Sequence, residues 1–321
     1  MYFYNPLCSP WFIFELIFLN TTSESKLLSP ELLAQLERLE LVTRKVFRGR
    51  MKGERRSKRK GQSVEFADFR NYVPGDDLRQ LDWNLYARLD KLIIKLFLEE
   101  EDLHFYTLID SSLSMTFGEP SKLEYAKQLA AALGFVGLIR TDRVRIETIS
   151  QTAGERGPVL RGRSSVWRML EHVESIQPDQ GQAGKGPTPL AEGVKNFCLR
   201  NPGRGIVVLI SDLMDKAGYQ QALRYFVSHQ VDCFVIQVLS QEELEPDLQG
   251  DLKLVDCEDQ DEAEITVSVP MLNKYKQTLN SFVAGAQEFC SRRGMHYLLA
   301  NNQMPVQDLV AKQLRRRGLV R

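Results

Sequence analysis

The sequence predicts an α/β protein: a doubly wound three-layer sandwich with an N-terminal helix and a small strand-rich insert. Two observations carry that expectation. From residue 105 onward, short apolar runs that read as strands alternate with longer segments that read as helices, the pattern of a mostly parallel sheet covered on both faces. The chain also has the substance for such a core, with 321 residues of which 43% are hydrophobic. Composition places three segments in order: an extension at 1–25, a helix, basic loop and strand-rich segment at 26–104, and the α/β body at 105–321.

Taken in order, "LCSPWFIFELIFL", Leu7 to Leu19, is apolar, but its first flanking basic residue is Lys26 and Pro10 and Glu15 interrupt it. At 13 residues it falls short of the roughly 20 a helix needs to cross a bilayer. Three readings stay open: a peripheral or start-site segment, a helix packed on the domain or a partner, and membrane contact. "PELLAQLERLELVTRKVF", 30–47, repeats Leu at helical spacing behind a Ser29 cap and a first-turn Pro30, so an amphipathic helix is expected. Within the basic run 48–60, eight Lys and Arg stand against one Glu, too polar to pack and expected as an exposed loop. Residues 63–101 mix aromatics, a Pro-Gly-Asp turn and an alternating run from Lys91 to Leu98, which reads as a strand-rich insert.

The body then reads strand "FYTLID", helix 121–140, strand "RVRIETIS", short strand "PVL" and helix 164–176. A Gly/Pro loop at 178–189 leads to helix 190–200, strand "GIVVLIS", helix 217–229 and strand "VDCFVIQVL". Two short strands near 252–257 and 264–269, helix 271–293, strand "HYLLA" and a terminal helix complete it.

Charge narrows the function. Forty-two basic and 42 acidic residues cancel, so no global field draws in nucleic acid or an anionic membrane, and any electrostatic role is local. The five cysteines are widely spaced and contain no C-x-x-C pair, against a disulfide framework or a thiolate zinc site and in favour of a reducing, cytoplasmic setting, with peripheral membrane association left open by the first segment.

In open α/β sheets, ligands bind beyond the carboxyl ends of the strands where the winding reverses. "LIDSSLSM" ends a strand with Asp110 and offers Ser112 and Ser114; "GKGPTPL" offers Thr188 before a helix; "VVLISDL" ends a strand with Asp212. All five are hard oxygen donors, suited to Mg²⁺ or Mn²⁺, and with few anions among them the ion would retain positive charge and attract another carboxylate. A lone D-x-S-x-S arises by chance in about one chain of this length in ten, and a polar turn or helix cap explains any one of these residues. The ordered set is the signal.

These motifs resemble the metal-ion-dependent adhesion site (MIDAS) of von Willebrand factor type A domains. The resemblance implies Ser112, Ser114 and Thr188 as metal ligands, Asp110 and Asp212 acting directly or through water, and a partner's Asp or Glu completing the shell. The upstream segment "GQSVEFADFRNYVPGDDLRQLDWNLYARLDKLIIKLFLEEE" resembles domain-of-unknown-function family 58 (DUF58), bacterial proteins with a type A-like domain. That second resemblance implies work alongside MoxR-type AAA+ ATPases in assembling or activating other proteins, in a family whose biochemical activity is largely undefined; for this chain a non-enzymatic, Mg²⁺-dependent protein-binding module is expected. Within the segment, Arg70, Asp76, Asp77, Arg79, Asp82, Trp83 and Arg88 have two readings: an ion-pair network fastening the insert to the body, or a partner-docking surface centred on Trp83.

Two rival functions remain. Asp110 after a strand could be the nucleophile of a Mg²⁺-dependent, phosphatase-like hydrolase, but haloacid-dehalogenase-like enzymes use D-x-D and here Ser112 holds the second position. Nucleic-acid binding would rest on the 48–60 run, which lacks interleaved aromatics for base stacking. The four histidines show no ligand spacing, and in "GQAGKGPT" Gly186 follows Lys185 where a phosphate loop needs Ser or Thr.

Overall fold

A computed structural model of the chain describes residues 27–39, 41, 64–99, 104–140, 142–149, 157–179, 189–201, 205–229, 231–248, 250–255 and 262–320. The extension 1–25, the basic run 48–60 and Thr188 lie outside the described residues.

Helix α1 (Pro30–Leu36) begins as expected, with Leu32 N–H donating to the Ser29 hydroxyl at 3.3 Å. It is shorter than the leucine spacing suggests. Leu36 and Leu39 are buried, but Leu39 N–H turns back to the Leu36 carbonyl and Leu41 leaves to bridge Val320, so tertiary pairing ends the helix early. The insert is a hairpin: β1 (Val64–Asn71) pairs antiparallel with β2 (Ile93–Glu99), a bulge between Phe66 and Asp68 shifting the register. Between them lie a 3₁₀ turn and helix α2 (Trp83–Leu89), which an uninterrupted strand reading of this segment does not anticipate.

The body holds a six-stranded sheet in the order β10-β7-β6-β3-β4-β5. Strands β3 (His104–Asp110), β4 (Arg143–Ile149), β6 (Ile206–Ser211), β7 (Asp232–Leu239) and β10 (His296–Asn301) run parallel; β5 (Leu160–Arg161) pairs antiparallel at the edge. β3 and β6 are apolar and buried almost throughout because both sheet faces are covered. On one face pack α3 (Lys122–Ile139), α4 (Val166–Ser175), α1 and the C-terminal helix α9 (Val306–Asp308), which continues through a π-helical stretch, Leu309–Leu314, to Arg315–Arg317. On the other pack α5 (Leu190–Arg200), α6 (Gln220–Ser228) and α8 (Val269–Ser291). A short helix, α7 (Gln241–Leu244), follows β7, and a separate hairpin, β8 (Gly250–Val255) with β9 (Glu262–Val267), precedes α8.

This is the expected three-layer, doubly wound sandwich. The chain winds outward from β3 through β4 to β5, then returns to the other side of β3 for β6, β7 and β10. The winding reverses between β3 and β6, so the crevice beyond their carboxyl ends is where such a sheet binds its ligands.

Candidate metal site at the sheet edge

β3 and β6 end side by side at that crevice in Asp110 and Ser211–Asp212. Asp110 is 8% exposed and Asp212 2%, burial that a carboxylate tolerates only with partners. Asp110 Oδ1 accepts from Ser112 N–H at 3.0 Å and Oδ2 from the Ser211 hydroxyl at 2.5 Å. Asp212 Oδ1 accepts from Met214 N–H at 3.0 Å, while its backbone carbonyl accepts from Gln237 Nε2 at 2.9 Å. Leu213 between them adopts φ 61°, a left-handed conformation that is costly for a leucine. Its N–H donation to the Ser211 hydroxyl at 2.9 Å helps hold that bend, which presents Asp212 at the edge.

Ser112 and Ser114 are half-buried with hydroxyls 3.0 Å apart, the two-residue step of the motif returning both oxygens to one side. Ser111 faces elsewhere, donating to the Ile149 carbonyl of β4. Thr188 lies outside the described residues, but both flanks of its loop are tied to this edge. Asp179 N–H donates to the Ser111 carbonyl at 2.6 Å, and Leu190 N–H donates to Asp215 Oδ2 at 2.5 Å, three residues beyond Asp212.

Two participants escape a sequence reading. Lys122, the first residue of α3, is fully buried and donates from Nζ to Asp212 Oδ2 at 2.8 Å and to Glu243 Oε1 at 2.6 Å. Burial works against its charge, but the two carboxylates more than offset this and hold its pKa above the ordinary lysine value. Glu243 is fixed in turn by a capping box with Ser240 in α7, accepting from Ser240 N–H at 2.8 Å. Among the described residues Asp110 has no such cation. Burial first, and the Asp212 charge second, push its carboxyl up to about 6, with the Ser211 and Ser112 hydrogen bonds opposing.

The donor chemistry fits a hard divalent cation: one buried carboxylate, a second carboxylate beside it, and two hydroxyls converging at the same strand ends. No trio of His, Cys, Asp or Glu among the described residues is grouped closely enough to hold a metal by itself. An ion here would therefore rely on hydroxyls and water. Around the site, Phe117 is 52% exposed and Met214 38%, apolar side chains bordering a charged centre.

The upstream signature divides in the structure. Asp76 ties to Arg70 at 2.7 Å and accepts from Val73 N–H; Asp82 caps α2 through Asn84 and Leu85 N–H and pairs with Lys95 of β2 at 2.9 Å; Asp77 caps the 3₁₀ turn through Arg79 N–H. Those contacts lie within the insert and fasten its turns to its own hairpin. The Val73 N–H and then Arg70 hold Asp76 below the usual carboxylate range, and Lys95 does the same, first, for Asp82. Trp83, 62% exposed, meets Tyr86 edge-on, and Arg79 and Arg88 are exposed without an ion pair among the described residues.

The family profile described as "Protein of unknown function DUF58" matches residues 68–281, more than half of the chain. The chain belongs to DUF58. That span contains the insert signature from residue 68 onward and every residue of the candidate site, Lys122 and Glu243 included. Among curated DUF58-like relatives, "Uncharacterized protein Rv1480" of Mycobacterium tuberculosis and "Uncharacterized protein Mb1516" of Mycobacterium bovis are each 30% identical over 236 residues, covering 71% of this chain and 72% of theirs. Solved structures with a similar fold are more distant. BatB of Bacteroides thetaiotaomicron is 18% identical with a TM-score of 0.43, covering 67% of this chain and 98% of its own. The SpRpn10 VWA domain is 12% identical with a TM-score of 0.37, covering 65% and 94%. The mussel byssus proximal thread matrix protein 1 with a zinc-occupied MIDAS motif is 15% identical with a TM-score of 0.34, covering 43% and 36%.

Proposed function

We propose that this DUF58 chain is a non-enzymatic protein-interaction module that binds Mg²⁺, or Mn²⁺, at the β3–β6 edge and captures a partner's Asp or Glu on that ion. One observation carries the reading: Asp110 and Asp212 end adjacent strands at the reversal of winding, beside two converging serine hydroxyls, with the Lys122 ammonium paired to Asp212 and Glu243 but not to Asp110. Ser112 and Ser114, with Thr188, would hold the ion directly; Asp110 and Asp212 would orient it directly or through water. When bound, the ion supplies a positive centre that a carboxylate from another chain can satisfy. The chain's own residues set the conditions for this. Backbone N–H groups and Ser211 fix the carboxylates, and exposed Phe117 and Met214 offer apolar contact at the rim of a protein interface.

The partner to test first is a MoxR-type AAA+ ATPase, with the chain acting as its adapter in assembling or activating other proteins. The insert surface of Trp83, Arg79 and Arg88 would give that partner a second contact, since exposed aromatics and arginines are the residue types that anchor interfaces. Among the described residues no helix is long and apolar enough to cross a membrane.

The test is binding of a purified MoxR-type ATPase to the immobilised chain. Because the ATPase itself uses Mg²⁺, the decisive comparison keeps Mg²⁺ constant and contrasts wild type with Asp110→Ala, and a chelator arm follows. Capture should fall at least about tenfold in the variant, the order expected for one lost charged contact. Equal capture by both proteins would sink the metal-bridge mechanism. Turnover of phosphorylated substrates, abolished in Asp110→Asn, would instead favour the hydrolase.

A further inference from the structure

Lys122 occupies an expensive position. It is fully buried, and as the first residue of α3 it places an ammonium at the positive end of a helix. Neither burial nor helix formation explains a lysine there. Its two contacts do: 2.8 Å to Asp212 Oδ2 and 2.6 Å to Glu243 Oε1. Glu243 is itself clamped, its other oxygen accepting from Ser240 N–H, and only 16% of its side chain is exposed. The ammonium is thus held from two sides and cannot swing away from the crevice.

The two site aspartates consequently differ in kind. Among the described residues Asp110 receives only neutral donors, Ser112 N–H and the Ser211 hydroxyl, whereas Asp212 is already paired with the Lys122 ammonium. A divalent ion approaching Asp212 directly would have to displace, or sit close to, that ammonium. Like charges a few ångströms apart in a buried setting repel strongly. Asp110 faces no such competitor among the described residues.

We propose that Lys122 is a specificity-determining counter-cation: it keeps Asp212 out of the metal's inner shell, leaving the ion short of anionic ligands and thereby selecting an external carboxylate. Lys122 acts through Asp212 and is a positioning residue. The inference rests on the metal-site reading above and deepens it by saying why the ion wants a partner's carboxylate rather than this chain's second aspartate.

The test uses Mn²⁺ as the probe on the full chain, with calorimetry for affinity and water-proton relaxation for the number of waters bound directly to the ion. Lys122→Met/Glu243→Gln removes one charge of each sign, limiting the damage to the fold. It should bind Mn²⁺ about tenfold more tightly or better, because ligand charge count tunes such sites over orders of magnitude. It should also lose directly bound water as Asp212 enters the shell, and adding Asp212→Asn should abolish the gain. Glu243→Gln alone should act in the opposite direction, since it leaves the Lys122 charge less compensated beside the ion, and it tests the inference even where the double variant fails to fold. Folded variants with unchanged affinity and water count would show Lys122 to be structural glue and overturn the inference alone. A wild-type chain that takes up no Mn²⁺ would overturn the metal-site reading and this inference with it.

Discussion

Asp110 would face opposite demands in the free protein and in the proposed metal-bound one. Its carboxyl, ordinarily near 3.8, is pushed up to about 6 by burial and by Asp212. The raised value means that this residue's contribution to stability is fully present below pH 3.8 and is lost as pH rises through about 6, a swing of roughly 2–3 kcal/mol. A cation reverses the preference by favouring the ionised form. Stabilisation by Mg²⁺ should therefore be small at pH about 5 and grow toward pH about 8, and without metal at the higher pH Asp110→Asn should unfold no earlier than wild type. Adding excess Mg²⁺ should put wild type above the variant; thermal unfolding across that range checks both orders. At this scale the sequence was informative where chemistry and position coincide. Asp110 and Asp212 each end an apolar run, so they stand out as carboxylates at strand ends. Lys122 does not, because a lysine after Ser121 reads as an ordinary polar residue in the first turn of a helix, and nothing local signals that tertiary packing buries it. Glu243 is hidden for a related reason: its helix is a four-residue turn with no hydrophobic period to detect.

Among the elements, α5 is anchored beside the site at its first residue. Its first residue is tied to Asp215, and its Gly193 lies so close to β4 that an added Cβ would stand 2.2 Å from Ile149 Cγ2. Ile149 is β-branched and ends its strand, so it has little rotameric freedom to retreat. Gly193→Ala should therefore destabilise by about 1–2 kcal/mol net, overpacking outweighing the roughly 1 kcal/mol gained in helix propensity. In α3, a Cβ on Gly134 would meet Met169 Sδ at 2.4 Å, and an unbranched thioether can rotate aside. Gly134→Ala should cost less, and denaturant unfolding of the two variants tests that ranking. The same contrast between local pattern and tertiary contact explains which elements were legible. α5 has the bounds expected from periodicity, 190–200, and the strands of the main sheet fall within a residue or two of their apolar runs. α1 stops at Leu36 because Leu41 pairs with Val320 at the far end of the chain, and α2 sits inside a segment whose aromatics suggested strand.

For the whole molecule, the sheet edge and the insert present two chemically different surfaces. At the edge, the donors come from β3, β6 and the loops that follow them, so they converge only when the central sheet is folded. In the insert, Trp83, Tyr86, Leu78 and Leu89 are exposed around a framework pinned by the Arg70–Asp76 and Lys95–Asp82 pairs, which do not involve the edge. The proposed metal binding would thus be linked to the folding of the body, whereas the Trp83 surface is displayed by the hairpin's own turns. If the partner touches both, the two contacts contribute through a shared complex rather than through each other. Trp83→Ala/Arg88→Ala should leave Mg²⁺-induced stabilisation unchanged, about 2.7 kcal/mol at a hundredfold excess over Kd, while weakening ATPase capture by roughly thirtyfold if Trp83 anchors the interface. Asp110→Ala should abolish the Mg²⁺ effect and weaken capture as well. Combining the two sets should multiply their losses in capture, since residues without shared partners add in free energy. A thermal-shift series in Mg²⁺ run beside capture measurements separates these outcomes: loss of the Mg²⁺ effect in the Trp83 variant would mean that the insert and the metal edge are one coupled site.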